Sequence, residues 1–346
     1  MKRISLLIFI GFLTVSCKYD YKARTIDKIT IKEFKIDSTS IRAIVPITEK
    51  AMLFVGSNGA IGFTADDGLT WTKETITYQD SIQPSFRSIA SNGTNTFILS
   101  IGNPALLYKV TNDEKKLVYT ESHPKVFYDA MAFFDKKNGI AIGDPTDNCT
   151  SIILTHDGGD TWQKVDCSEL PVAADGEASF AASNTNIAIV KNTVWVVTGG
   201  TKSRVFKSAD KGETWEVFET PIIQGKNTQG IYSVDFADEL HGIIVGGDYS
   251  KPEENTANKA ITNDGGKTWT LVADGKSPNY KSCVQYVPNT YGKEIFAVGK
   301  TGVSFSNDGG LTWKDVNSDA YYGIQFVNDK TAWLSGHQKI GKLVLN

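Results

Sequence analysis

Side chains capable of chemistry are thinly spread in this sequence. His123, His156, His241 and His337 lie far apart, with no His-Glu-x-x-His and no cysteine pair at zinc spacing. No metal centre is therefore expected. There is no Gly-x-Ser-x-Gly and no Gly-x-Gly-x-x-Gly following a strand, so neither an esterase elbow nor a dinucleotide site is expected, and no cofactor. Cys149 and Cys167 are equidistant from Gly158. A hairpin turning there would set them opposite each other as a disulfide, the alternative being two separate thiols. Cys283 falls on an expected inner strand and reads as a buried unpaired thiol. The 346 residues carry 36 Lys and Arg against 39 Asp and Glu. A net charge of −3 gives no support to nucleic-acid binding.

The N-terminus has its own chemistry. Met1-Lys2-Arg3 precedes an apolar run from Ile4 to Val15, which ends at Ser16-Cys17. A basic start and a short apolar stretch read as a secretory signal. The small residue before Cys17 resembles the bacterial lipobox, whose cysteine is acylated after cleavage. The expectation is a signal over 1–16, a lipidated tether over 17–25, and an exported chain anchored in the bacterial cell envelope by lipid alone. The alternative is an ordinary cleaved signal.

The elements that would position any site are set by a repeat. Thr64-Ala-Asp66-Asp-Gly68-Leu-Thr70-Trp71 recurs around Asp157 and Trp162, Asp210 and Trp215, Asp264 and Trp269, and Asp308 and Trp313. The aspartates are 91, 53, 54 and 44 residues apart, and Thr111–Lys115 stands near the middle of the widest gap as a degraded copy without glycine or tryptophan. Each octet lies between short β-branched and aromatic runs, as a hairpin requires. The octet resembles the Asp-box, or bacterial neuraminidase repeat, of β-propellers. Two further strand signals precede each octet, giving four strands per unit. Units start near Ser40, Ser85, Val126, Ala178, Gly230 and Tyr280. Three more strands follow the last octet, and Ile29–Ile36 alternates as a fourth. The expectation is one all-β, seven-bladed propeller over 26–346, with four antiparallel strands per blade and the last blade closed by the N-terminal strand.

The resemblance places ligands on the face opposite the octets, at the starts of the inner strands and the loops between second and third strands. Those positions hold Arg42, Arg87, Tyr128, Asp129, Glu177, Tyr232, Lys281 and Tyr322, and Asn58, Asn103, Asp144, Arg204, Asp248, Tyr249, Lys300 and His337. The binding set expected from these is Arg42, Arg87, Asp129, Glu177, Tyr232, Asp248, Lys300, Tyr322 and His337. Asp129, Asp144, Glu177 and Asp248 are the carboxylates that could act as an acid–base pair on a glycan. Sialidase residues do not carry across. The chain past Cys17 has only Arg24, Arg42, Arg87 and Arg204, with no Arg-Ile-Pro, and sialidase propellers have six blades. As a whole the chain resembles the photosystem II stability and assembly-factor-like group. That implies a monomeric, non-catalytic propeller binding an envelope protein, peptide or glycan, the alternative being an Asp-box glycoside hydrolase.

Overall fold

The computed structural model describes residues 21–111 and 113–345; Cys17 and the signal region lie outside them. The octets explain the local fold. In the first, the Thr70 amide and hydroxyl donate to the two Asp66 oxygens at 2.9 and 2.6 Å, the Gly68 amide donates to Thr64 Oγ1 at 3.0 Å, and Trp71 Nε1 donates to the Gly68 carbonyl at 3.1 Å. Asp157, Asp210, Asp264 and Asp308 hold their threonines in the same way. The turn needs residues at positive φ, where glycine carries little penalty. At Gly159 φ is +86°, and a Cβ would lie 2.3 Å from the Phe97 ring of the preceding sheet. Each octet is tied to the first hairpin of its own sheet by one backbone bond, as in Gly158 N–H to Lys137 O and Gly265 N–H to Leu240 O.

The strands form a β-propeller of antiparallel sheets, with apolar side chains packed between neighbouring sheets. Phe97, Leu107, Tyr128, Ile153 and Trp162 make one such layer. The expected count of seven four-stranded blades is corrected: among the described residues the hydrogen bonds define six sheets. The reason is the long strand Ile31–Pro46. Its first half pairs with Thr331–Val344, from Ile31 opposite Leu343 to Ser40 opposite His337, and its second half pairs with Met52–Gly56. The two ends of the chain thus share one six-stranded sheet. A second six-stranded sheet arises because Glu177–Ala178 and Gly199–Gly200 add to the edge of Gln229–Phe236. The other four sheets have four strands. Blade number therefore no longer separates this chain from sialidase propellers.

The degraded copy behaves differently. Ala105–Val110 turns directly into Lys115–Glu121, with Val110 opposite Lys115. Without an octet to cover it, a groove of about 610 Å³ stays open between the first and second sheets, lined by Ile47, Leu53, Phe63 and Val110.

Candidate functional site at the mouth of the ring

Four inner strands begin with the same irregularity, a one-residue bulge. The extra residue is Arg42 between Ile41 and Ala43, Arg87 between Phe86 and Ser88, Asp129 between Tyr128 and Ala130, and Tyr232 between Ile231 and Ser233. A bulge turns one side chain out of the ladder alternation. Here it directs all four toward residues 180–182. Arg42 Nη1 donates to Ala182 O at 3.4 Å, Arg87 Nη1 donates to Ala181 O at 3.2 Å, and Tyr232 stacks on Phe180 with centroids 3.9 Å apart.

That target segment, residues 179–186, is irregular where an inner strand was expected from Ala178. It crosses the axis and touches all five other sheets. Asn184 Nδ2 donates to Ile89 O and Asn184 Oδ1 accepts from the Met131 amide, both at 3.0 Å. Ser183 Oγ donates to Ser282 O, and the Thr185 and Ser233 hydroxyls bond at 2.7 Å. Sequence reading missed this crossing. The signal was present in Ala178-Ser-Phe-Ala-Ala-Ser-Asn-Thr-Asn186, a small polar run without strand alternation.

Around this segment one side of the mouth is aromatic and the other charged. Tyr232 packs edge-on to Tyr280 at 4.9 Å and to Tyr249 at 6.4 Å, and its hydroxyl donates to Thr228 O at 2.9 Å. The Arg42 guanidinium lies 3.7 Å from the Tyr322 ring centroid, within cation–π range. Burial lowers the pKa of Arg42. Burial also lowers that of Arg87, the Arg42 charge adds to the effect, and Asp129 opposes it. Among the described residues neither guanidinium forms an ion pair, and Arg42 Nε is buried without a partner. Asp129 is fully buried, and its carboxylate faces the Ala181 amide without a well-formed hydrogen bond. Burial and then the Asp144 charge push its pKa well up, with Arg87 and the Ala181 amide pulling the other way. Asp144 accepts from the Ser179 amide at 2.8 Å, and burial raises its pKa to about 6. Asp144 lines a cleft of about 450 Å³ with Lys125, Asp147 and Asp175.

The other expected site residues have different partners. Glu177 is buried against Arg204, accepting from Arg204 Nε at 3.0 Å and Thr198 Oγ1 at 2.6 Å. Asp248 is buried and caps its own loop, accepting from Ser250 Oγ at 2.6 Å. Its pKa is lowered, because the Ser250, Thr228 and Gln229 bonds together outweigh burial. Lys300 is exposed, 5.7 Å from the Tyr249 ring, and His337 is exposed beside Ser40. Lys281 is buried with Nζ bonded to Thr301 Oγ1 and Gly302 O, and burial lowers its pKa to about 8. Its neighbour Tyr280 takes the place at the mouth. Tyr280 and Phe180 were not among the expected site residues. Cys149 and Cys167 are disulfide-bonded with Cα atoms 5.6 Å apart, beyond the end of the hairpin ladder, and Cys283 is a buried free thiol.

Known structures share this fold at low identity. The chain is similar to "YCF48 bound to D1 peptide" at 17% identity and a TM-score of 0.68, covering 94% of this chain and 98% of the other. It is similar to YCF48 from Cyanidioschyzon merolae at 14% and 0.62, covering 91% and 98%. The WD40 repeats of RRP9 align at 11% and 0.63, covering 94% and 100%. No protein-family profile and no curated protein sequence matches. The likeness establishes a β-propeller.

Proposed function

We propose that this chain is a binding propeller of the Asp-box type, exported and lipid-anchored through Cys17, that captures an acidic protein or peptide segment at the mouth opposite the octets. One observation carries the reading. Arg42 and Arg87 are half-buried and charged, and each makes a single long bond to a backbone carbonyl. Guanidinium groups removed from water without a carboxylate retain donors for one, and such charge-assisted bonds are strong. Tyr322 and Phe180, both partly exposed, supply flat apolar surface beside them, suited to the side chain next to the acidic group. One similar structure is YCF48 bound to a D1 peptide, which supports a peptide as the class of ligand.

The hydrolase alternative loses two of its four carboxylates, since Glu177 is bonded to Arg204 and Asp248 to Ser250. The test is titration of the mature protein with an envelope-derived peptide library. Replacing Arg42 and Arg87 together with Gln should weaken retained acidic peptides at least tenfold, the loss of about 1.5–3 kcal/mol per charge-assisted bond. Unchanged affinity in that variant overturns the reading. Mass spectrometry of the mature N-terminus for acyl chains on Cys17 tests the anchor separately.

A further inference from the structure

The described chain begins on the octet face and is clamped there. Tyr21 Oη donates to Glu294 Oε1 at 2.6 Å, the Arg24 amide donates to the same oxygen at 2.7 Å, and Arg24 Nε donates to Oε2 at 2.7 Å. Glu294 is fully buried, so this ion pair is shielded from solvent. Arg24 Nη1 also donates to Asp329 O at 2.7 Å, and Asn307 of the last octet donates to Arg24 O at 3.0 Å. Lys314 pairs with Asp27.

Beside the clamp lies a cleft of about 410 Å³ whose wall includes Ile261, Tyr291 and Leu311. The Tyr291 ring is 5.8 Å from that of Tyr21. Tyr291 is 70% exposed, Leu311 54%, and Leu240, on the adjoining hairpin, 54%. Isolated exposed leucines need no explanation, but a cluster around one cleft is the mark of a contact surface. Tyrosine beside aliphatic side chains suits the level of lipid headgroups.

We propose that this corner of the octet face rests on a lipid bilayer and holds the mouth pointing away from it. The proposal relies on the lipid anchor at Cys17. Tyr21 lies four positions after Cys17, a reach of at most about 14 Å when fully extended. The inner strand Gln229–Phe236 has 8 residues, so the ring is roughly 25 Å deep from octets to mouth. A tether of that length starting from the octet face cannot turn the mouth to the membrane. It leaves Leu240, Tyr291 and Leu311 beside the headgroups.

Hydrogen exchange on vesicle-tethered protein tests this. Cys17 of the mature chain is coupled chemically to a maleimide lipid in phosphatidylcholine vesicles, so the result does not depend on natural acylation. Amides over 238–241, 289–293 and 309–313 should exchange at least about threefold more slowly than in the free protein. Amides of the 248–258 loop at the mouth should be unchanged. Leu240→Ser with Leu311→Ser, both at exposed positions, should abolish the octet-face protection while the protein stays tethered. Protection at the mouth, no protection at the octet face, or the same protection in vesicle-free protein at high concentration each overturns the proposal. The last result would assign the patch to a second copy. An unacylated Cys17 in the native chain would instead defeat the anchor reading, whatever orientation the coupled protein shows.

Discussion

The two faces of the ring obey opposite rules. On the octet face the same residue types recur because the same local contacts recur. Threonine donates to aspartate and glycine takes positive φ in all five octets, and tryptophan donates to a glycine carbonyl in four of them, Trp162 being the exception. At the mouth the same backbone bulge recurs at four positions with three different side-chain types: arginine at 42 and 87, aspartate at 129 and tyrosine at 232. Where the side chain makes the fold, the repeat keeps it. Where the backbone alone makes the geometry, the side chain varies freely and can be shaped to a ligand. The degraded copy at 111–115 shows what happens when the octet residues are lost, namely a shorter hairpin and an open groove.

The sharpest break in this comparison is predicted at Gly159. Gly159→Ala should cost roughly 2–4 kcal/mol in chemical denaturation, since it combines positive φ with a collision against Phe97. Gly93 has φ of +84° and no atom within 4 Å of a built Cβ. Gly93→Ala should cost only about 1–2 kcal/mol, the backbone part alone. Comparable losses at both sites would mean that the octet glycine is not a packing residue. Replacing Cys149 and Cys167 with Ser opens a loop of sequence separation 18 and should lower stability by about 2–3 kcal/mol, read as a shift in the denaturation midpoint.

Acid titration should separate the two faces by sign. Asp157 and Asp264 have pKa values near 2 because their threonine and backbone bonds outweigh burial. Folded values below the unfolded one near 3.9 mean stability present above about pH 4 and lost as pH falls toward 2. Asp144 is raised to about 6 by burial. The folded state then binds the proton more tightly, so its contribution favours folding at low pH and is lost as pH rises from about 4 to 6. At pH 7 Asp157→Asn should therefore destabilise. Asp144→Asn should stabilise by about 1–2 kcal/mol or be neutral, as measured by thermal and urea unfolding. The smallest effect is expected at the rim. Lys300→Ala should change stability by less than about 0.5 kcal/mol and leave peptide retention almost unchanged, because Nζ reaches only Tyr249.

Much of the mouth was legible before any coordinates. Arg42, Arg87, Asp129, Tyr232 and Tyr322 stand at the starts of inner strands, and the period of the octets locates those starts. Lys281 is instead buried against Thr301 and Gly302 while its neighbour Tyr280 packs on Tyr232, a choice between adjacent residues that strand signals do not reveal. Glu177 and Asp248 read as free acids because Arg204 and Ser250 carry no mark in sequence of which carboxylate they serve. The seven-blade count failed for a related reason. Counting strand signals gives the number of units, but hydrogen bonding along Ile31–Pro46 joins the first and the last into one sheet.

By itself, then, the sequence determined the octet hairpins, the all-β ring and the residues that start its inner strands. The octet hairpins rest on bonds within a few residues, such as Thr70 to Asp66 four positions away. Only the tertiary structure decided that residues 179–186 cross the axis, that two arginines meet their carbonyls, and that the N-terminal segment is clamped to the octet face. Those contacts join residues 94, 140 and 270 positions apart. They depend on the closure of the whole ring, to which no local pattern of residue types is sensitive.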